Sequence, residues 1–262
     1  MNRRHVTLIP LLSIALLLAP ASRAQTNAER DAAAHIVGEV FTNGRQLKYV
    51  SALSDDIGSR LTGTANERRA EGWAEGEMKR LGLSNVGREP YRMAALWGEE
   101  EGTVSSIAYV ERHRAEMDKT VAALVMDIGA GRPQGWFSMG RTDLDAGIRE
   151  LSLPLSQFGD FAIEHAAFAA TDNAPFMAEG VPNLILIQDE TPYFPVHHTI
   201  ADTPDKIEPR DYASAVAAFA ATAYEIAERP QRFGRRLTAD EIKRMADETK
   251  VGDQWRAAGI WK

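Results

Sequence analysis

Thr120-Val121-Ala122-Ala123-Leu124-Val125-Met126-Asp127-Ile128-Gly129-Ala130-Gly131 carries the strongest structural signal in the chain. Thr120 to Met126 is a short apolar run bounded by polar residues, which reads as a buried strand. It ends at Asp127, and Gly129 and Gly131 follow at once. Asn183 to Ile187 is a second buried strand of the same kind. Val86 to Met93, Gly135 to Met139 and Ala166 to Ala169 are weaker strand-like segments.

Helical spacing fills the intervals. Residues 27–42 place Ala34, Val37 and Phe41 on one face, and residues 44–55 do the same with Leu47, Val50 and Leu53. Ser54-Asp55-Asp56 and Gly58 break that pattern. Thr64 to Leu83 reads as a third helix with a stripe of Ala65, Ala70, Trp73, Met78 and Leu81, stopped by Gly82. Val104 to Met117, residues 142–151, Pro175 to Glu179 and the alanine-rich Ile207 to Arg229 read as further helical segments. Thr238-Ala239-Asp240-Glu241 is a capping-box pattern that opens a final helix. Buried strands alternating with helices predict an α/β fold with a largely parallel sheet. The small basic run from Arg229 to Arg236 reads as a solvated connection.

Composition narrows the function. The 262 residues are 44% hydrophobic and 26% charged, which suits one globular domain. Lys and Arg number 30 against 37 Asp and Glu, for a formal charge of -7. Phosphate recognition needs a basic surface, so a nucleic-acid partner is not expected. There is no cysteine. A disulfide framework, a thiolate zinc site and a thiol nucleophile are therefore excluded, and any metal must be held by His, Asp and Glu.

Residues 1–24 read as a secretory signal peptide. Arg3 and Arg4 give the positive start, Val6 to Leu18 the apolar run, and Ser22 and Ala24 the small-x-small cleavage pattern. The run is shorter than the roughly 20 apolar residues a membrane span needs. Export to a periplasm or the medium is expected, with residues 25–262 forming the exported part and no membrane span remaining.

Three groups could do chemistry at strand ends, where α/β sheets present ligands. Glu99-Glu100-Glu101 is bracketed by Gly98 and Gly102. Adjacent glutamates point in different directions, so one could bind a metal while its neighbour acts as a base. Asp127 ends an apolar strand. His197-His198 is the one paired histidine and precedes Asp202 and Asp205, a donor set suited to a metal with N and O ligands. Asp172 could cap a helix or support a ligand from behind.

Several stretches resemble the di-zinc exopeptidases of metallopeptidase family 28, especially the carboxypeptidase Q-like branch. Glu99 to Tyr109 is similar to the family's Glu-Glu motif, and Asp127-Ile128-Gly129-Ala130-Gly131 to its Asp-x-Gly-x-Gly. Asp172 to Phe176 with Gly180-Val181-Pro182 is similar to Asp-x-x-Pro-Phe and its following Gly-Val-Pro. Tyr193 to Thr203 resembles the closing Tyr-Phe-x-x-His-His-Thr motif, and Ile57 to Gly63 an early segment. The resemblance covers about residues 27–228. It implies a three-layer α/β/α sandwich with a mixed, largely parallel sheet. It also implies Glu99 as general base, Glu100, Asp127 and His198 as zinc ligands, two zinc ions as cofactor, and a peptide substrate trimmed from an end.

The sequence departs from the family at one place. A His-x-Asp motif and a metal-bridging Asp should precede the glutamates, yet Met93 is followed almost at once by Trp97 and Glu99, and no His lies between His35 and His113. The inserted lid domain of this branch has no counterpart, so the resemblance implies a fold truncated by an internal loss. One zinc would keep only Asp127, the other Glu100 and His198, whereas a catalytic zinc generally takes three protein ligands. Asp172, His197 and Asp202 are the supporting or substitute groups. Missing strands would leave apolar edges that a homodimer could cover. Three readings follow: an exported zinc exopeptidase, a non-catalytic peptide-binding or structural relic of the same fold, and a metal-free hydrolase of the paired-carboxylate type, such as a glycosidase.

Overall fold

Asn183 to Gln188 is buried along its whole length, and the rest of the molecule is arranged around it. The computed structural model describes residues 27–91 and 103–261. Its helices are α1 (Asn27–Asn43), α2 (Gln46–Ser51), α3 (Ala65–Arg80), α4 (Val104–Arg112), α5 (Asp145–Ser152), α6 (Ala174–Ala178), α7 (Pro209–Glu228), α8 (Ala239–Thr249) and α9 (Val251–Ala257). Its strands are β1 (Ala123–Val125), β2 (Pro133–Phe137), β3 (Ala162–Glu164) and β4 (Asn183–Gln188). The sheet order is β1-β4-β2-β3. β1 runs parallel to β4 and β2 parallel to β3, while β2 and β4 are antiparallel. The sheet is thus mixed, as expected.

Strand alternation sorts the core into two layers. Leu184 and Leu186 of β4 join Trp136, Ile148, Leu151 and Ile226 on one face, under α5 and α7. Ile185 faces the other way, with Met139, Met177, Met245 and Trp255, under α6, α8 and α9. Burying each such aliphatic side chain stabilises the fold by about 1.5–3 kcal/mol. α7 lies close to the sheet and to α1 because its buried face is small: Ala213, Ala215, Ala217, Ala218 and Ala221. Ala33 of α1 packs into the Ala218–Ala221 ridge. The carboxylate of Glu208 accepts hydrogen bonds from the first amides of α7, at Arg210 N and Asp211 N, which would otherwise be orphaned.

Several expectations are corrected. No residue of α3 is buried, and Met78 and Leu81 of its apolar stripe lie exposed. The buried face of α1 uses Ala33 and Val37, with Ala34 turned outward and Phe41 half-exposed against Phe158. Residues 86–91 form no strand, and the remainder of that segment falls outside the described residues. The strand β3 is Ala162–Glu164 rather than Ala166–Ala169. Ala167, Phe168 and Ala169 pack onto the second core face without pairing. The last helix expected is two, α8 and α9, divided by a left-handed Lys250 at φ 62°.

The Arg229–Arg236 run is solvated only in part. Arg229 pairs with Glu150, Arg232 donates to the carbonyls of Asp118 and Thr120, Arg235 pairs with Glu241, and Arg236 pairs with Glu179 and Asp118. Phe233 in the middle is buried in the first core face. The run buckles α7 and α8 onto the sheet. Residues 1–24, where a signal peptide is expected, lie outside the described residues. Among the described residues, no helix is long and apolar enough to cross a membrane.

Candidate functional site

Parallel neighbours β1 and β4 end at the same side of the sheet, so the loops leaving them meet there. The loop after β1 holds Asp127, Gly129 and Gly131. The loop after β4 holds Tyr193, His197 and His198. Their contact explains both glycines. Gly131 lies against Asp189, where a Cβ would overlap the Asp189 carbonyl oxygen. Gln188 Nε2 donates to the Gly131 carbonyl at 3.0 Å, and Asp189 N to the Arg132 carbonyl at 2.8 Å. Gly129 sits at φ +80°, where a Cβ would come within 2.9 Å of the Tyr193 Cβ.

Tyr193 links this loop to the histidines. Its ring centroid lies 4.6 Å from that of His197, and the His197 and His198 rings stack at 3.8 Å with planes 30° apart. His198 is left-handed, at φ 56°. A metal lies close to the plane of any imidazole that binds it, so two stacked rings offer one ligand to a given ion rather than two. Asp127 and His198 both point from exposed loop positions at this end of the sheet.

Asp172 stands apart from that pair of loops. It lines a hollow of about 500 Å3 between α4 and α6, together with Tyr91, Ser105, Tyr109 and Phe176. Burial raises the Tyr91 hydroxyl pKa, and the charges of Glu67, Glu71 and Asp172 add to the effect. The chain leaves the described residues at Tyr91 and re-enters at Thr103. Glu99 and Glu100 lie in that interval, outside the described residues. Asp202 is exposed in a turn closed by its own amide on the Thr199 carbonyl. Asp205 is engaged with Lys206, which, with Thr203, holds its carboxyl below the usual range.

Among the described residues, no three of His, Asp and Glu stand close enough to hold a metal. The donors present do not by themselves fit the two-zinc centre that the family resemblance implies. Sequence reasoning gave no role to Tyr193, whose ring joins the two loops, because nothing local couples it to a glycine far away in the chain. His165, which has no histidine neighbour in sequence, also has partners in the fold. Ser138 Oγ lies 2.7 Å from His165 Nδ1, and His165 Nε2 lies 3.5 Å from Asp145 Oδ2. This has the residue types of a nucleophilic triad, but Ser138 is fully buried and cannot meet a substrate. It ties the ends of β2 and β3 to α5.

The family model of Peptidase family M28 matches residues 84–223. The chain belongs to that family. Carboxypeptidase Q of Bos taurus is 28% identical over 156 residues, covering 58% of this chain and 33% of that protein. Carboxypeptidase Q of Homo sapiens is 26% identical over 157 residues, with the same coverage. The chain thus spans about a third of the length of the curated relatives it matches. Among solved structures, a peptidase M28 precursor from Shewanella amazonensis is 27% identical with a TM-score of 0.46, covering 64% of this chain and 39% of that one. An aminopeptidase from Aneurinibacillus sp. strain AM-1 is 22% identical with a TM-score of 0.39, covering 52% and 33%.

Proposed function

We propose that this M28 family member is an exported peptidase of the exopeptidase type, releasing amino acids from the ends of short peptides. The observation that carries the reading is the meeting of the Asp127 and His197–His198 loops, inside the family match, at one end of a parallel strand pair. In this reading Glu99 takes the proton from the attacking water. Zinc enters only through Glu100, Asp127 and His198. The donors among the described residues fall short of a metal site. Export rests on residues 1–24, whose pattern is that of a cleaved leader.

A second reading is a peptide-binding relic that no longer hydrolyses. It is favoured by the stacking of His197 on His198 and by the lack of a His-x-Asp motif ahead of Glu99. The two are separated by supplying zinc to the full chain and measuring free amino acids released from short peptides. Chelator-sensitive release supports the peptidase, and zero release from a folded, zinc-supplied chain supports the relic.

A further inference from the structure

Residues 86–91 form a strap with no helix or strand of its own, which follows α3 and ends at Tyr91 on the wall of the Asp172 hollow. Charge holds it on both sides. Arg88 reaches back to α3, with Nε 2.7 Å from Glu75 Oε2 and a second nitrogen 3.3 Å from Glu71 Oε2. Glu89 reaches forward to the end of α4. There one carboxylate oxygen lies 3.0 Å from the Arg112 guanidinium and 2.9 Å from His113 Nε2. Arg112 also donates to the Pro90 carbonyl. No residue of α3 is buried, and these ion pairs tie it through the strap to α4.

His113 is the member of this cluster that changes charge near neutral pH. Its Nε2 faces Glu89, and its Nδ1 lies 3.4 Å from Glu116 Oε1. An imidazolium carries an N–H on each nitrogen and a neutral imidazole on one. Only the charged ring can therefore donate to both carboxylates, and the neutral ring turns a lone pair on one of them. Tyr109 stacks on the ring, with centroids 4.4 Å apart and planes 29° apart, which sets the direction of both nitrogens. His113 also ends α4, where the last carbonyls favour a cation. Among the described residues, the charged groups facing it are Glu89 from the strap, Glu116 from the following turn and Arg112 from α4, which shares Glu89. Arg114 turns away to Glu179, 3.1 Å off. Glu89 first, then Glu116, hold the His113 pKa above its ordinary 6.5. The clamp is thus complete below pH 6.5 and is lost as pH rises through the raised value.

We propose that His113 makes the strap a pH-sensitive wall of the hollow: charged, it clamps Glu89 and holds Tyr91 in place beside Tyr109, Phe176 and Asp172; neutral, it slackens and lets that wall move. Charge-assisted hydrogen bonds are roughly twice as strong as neutral ones, so loss of the ring's charge weakens the grip on Glu89 whichever nitrogen keeps its proton. Arg112 retains its hold at both extremes, so the strap loosens rather than detaches. The hollow of about 500 Å3 is then more accessible above neutral pH than in mild acid. The inference goes beyond the peptidase reading and stands without it.

The chain has no cysteine, so two introduced ones can carry spin labels without competition. Gly87→Cys places a label on the strap, where a Cβ meets nothing within 4 Å, and Glu111→Cys places the other on the exposed side of α4. Pulsed electron paramagnetic resonance on the full chain then reads the strap-to-α4 distance distribution at about pH 6 and about pH 9, on either side of the His113 titration. The distribution is expected to be narrow at the lower pH and to broaden toward longer distances at the higher. With His113→Gln added it should be broad at both values, and with Glu89→Gln, a second variant that leaves the histidine in place, it should likewise be independent of pH. The His113 ring signals in NMR should titrate with a midpoint above 6.5 that falls in Glu89→Gln. A distribution equal at both pH values in the labelled chain, broadening that persists in both variants, or a His113 midpoint at or below 6.5 would overturn the proposal. Each readout is independent of turnover and of zinc, so its failure is distinct from failure of the peptidase reading.

Discussion

Gly131 lies against the Asp189 carbonyl so closely that any side chain there would overlap it. This approach, with the Gln188 and Asp189 hydrogen bonds beside it, holds the loop after β1 against the loop after β4. Relief of such an overlap requires backbone movement, at about 1–3 kcal/mol. Gly131→Ala should therefore lower stability by about that amount, read by urea unfolding. It should also shift the histidine ring signals in NMR, because the second loop must yield. An unfolding midpoint equal to wild type would show that the Gly131–Asp189 approach is not close enough to exclude a side chain.

His165→Ala should destabilise without touching the candidate site. It removes the 2.7 Å partner of the Ser138 hydroxyl, which is fully buried and keeps only a longer contact of 3.4 Å to the Glu164 carbonyl. The expected cost is about 1–2 kcal/mol. Because Ser138 has no access to solvent, a fluorophosphonate that labels serine hydrolases should leave the folded chain unmodified. A mass increase at Ser138 would mean that this cluster is a reactive site after all.

The capping box of α8 makes the acid limb of stability specific. Thr238 Oγ1 accepts from Glu241 N, and the Glu241 carboxylate accepts from Thr238 N and from Arg235. The Arg235 hydrogen bond, followed by those of Thr238, holds the Glu241 carboxyl far below its ordinary 4.5. The folded group thus titrates below the unfolded one. Its contribution is complete above pH 4.5 and is lost as pH falls below that value toward the depressed folded pKa. Glu241→Gln should flatten the loss of stability on acidification below pH 4.5, measured as Tm against pH. Thr238→Ala should cost about 1 kcal/mol near neutral pH. An acid limb unchanged in Glu241→Gln would place the acid sensitivity elsewhere.

The fold was legible where burial is written locally. β4 and β1 are apolar runs, and α7 and the Thr238 cap carry strong helix signals, so the α/β class follows from them. β3 was missed because Ala162–Glu164 is only three residues long, ends on a charge and is held by backbone pairing to β2, where Gly135 admits it closely. Ala167 to Ala169 look like a strand since they are apolar, yet they fill the core as a loop. α8 and α9 are separated by a left-handed lysine, which carries no sequence signal of a stop. The apolar stripe of α3 is real in sequence and unburied in the described residues, since periodicity reports a face and not what covers it. At the site, Asp127 and His198 were legible as motif positions. The meeting of their loops depends on β1 lying next to β4, a long-range fact that local spacing does not contain.

The most direct test of the peptidase account is amino-acid release from a short peptide, compared between the zinc-supplied wild-type chain and Glu99→Ala. The account predicts measurable release that falls by about 10²–10⁴-fold in the variant, the usual contribution of a general base. No release from folded wild-type protein, or equal release from both proteins, would contradict it.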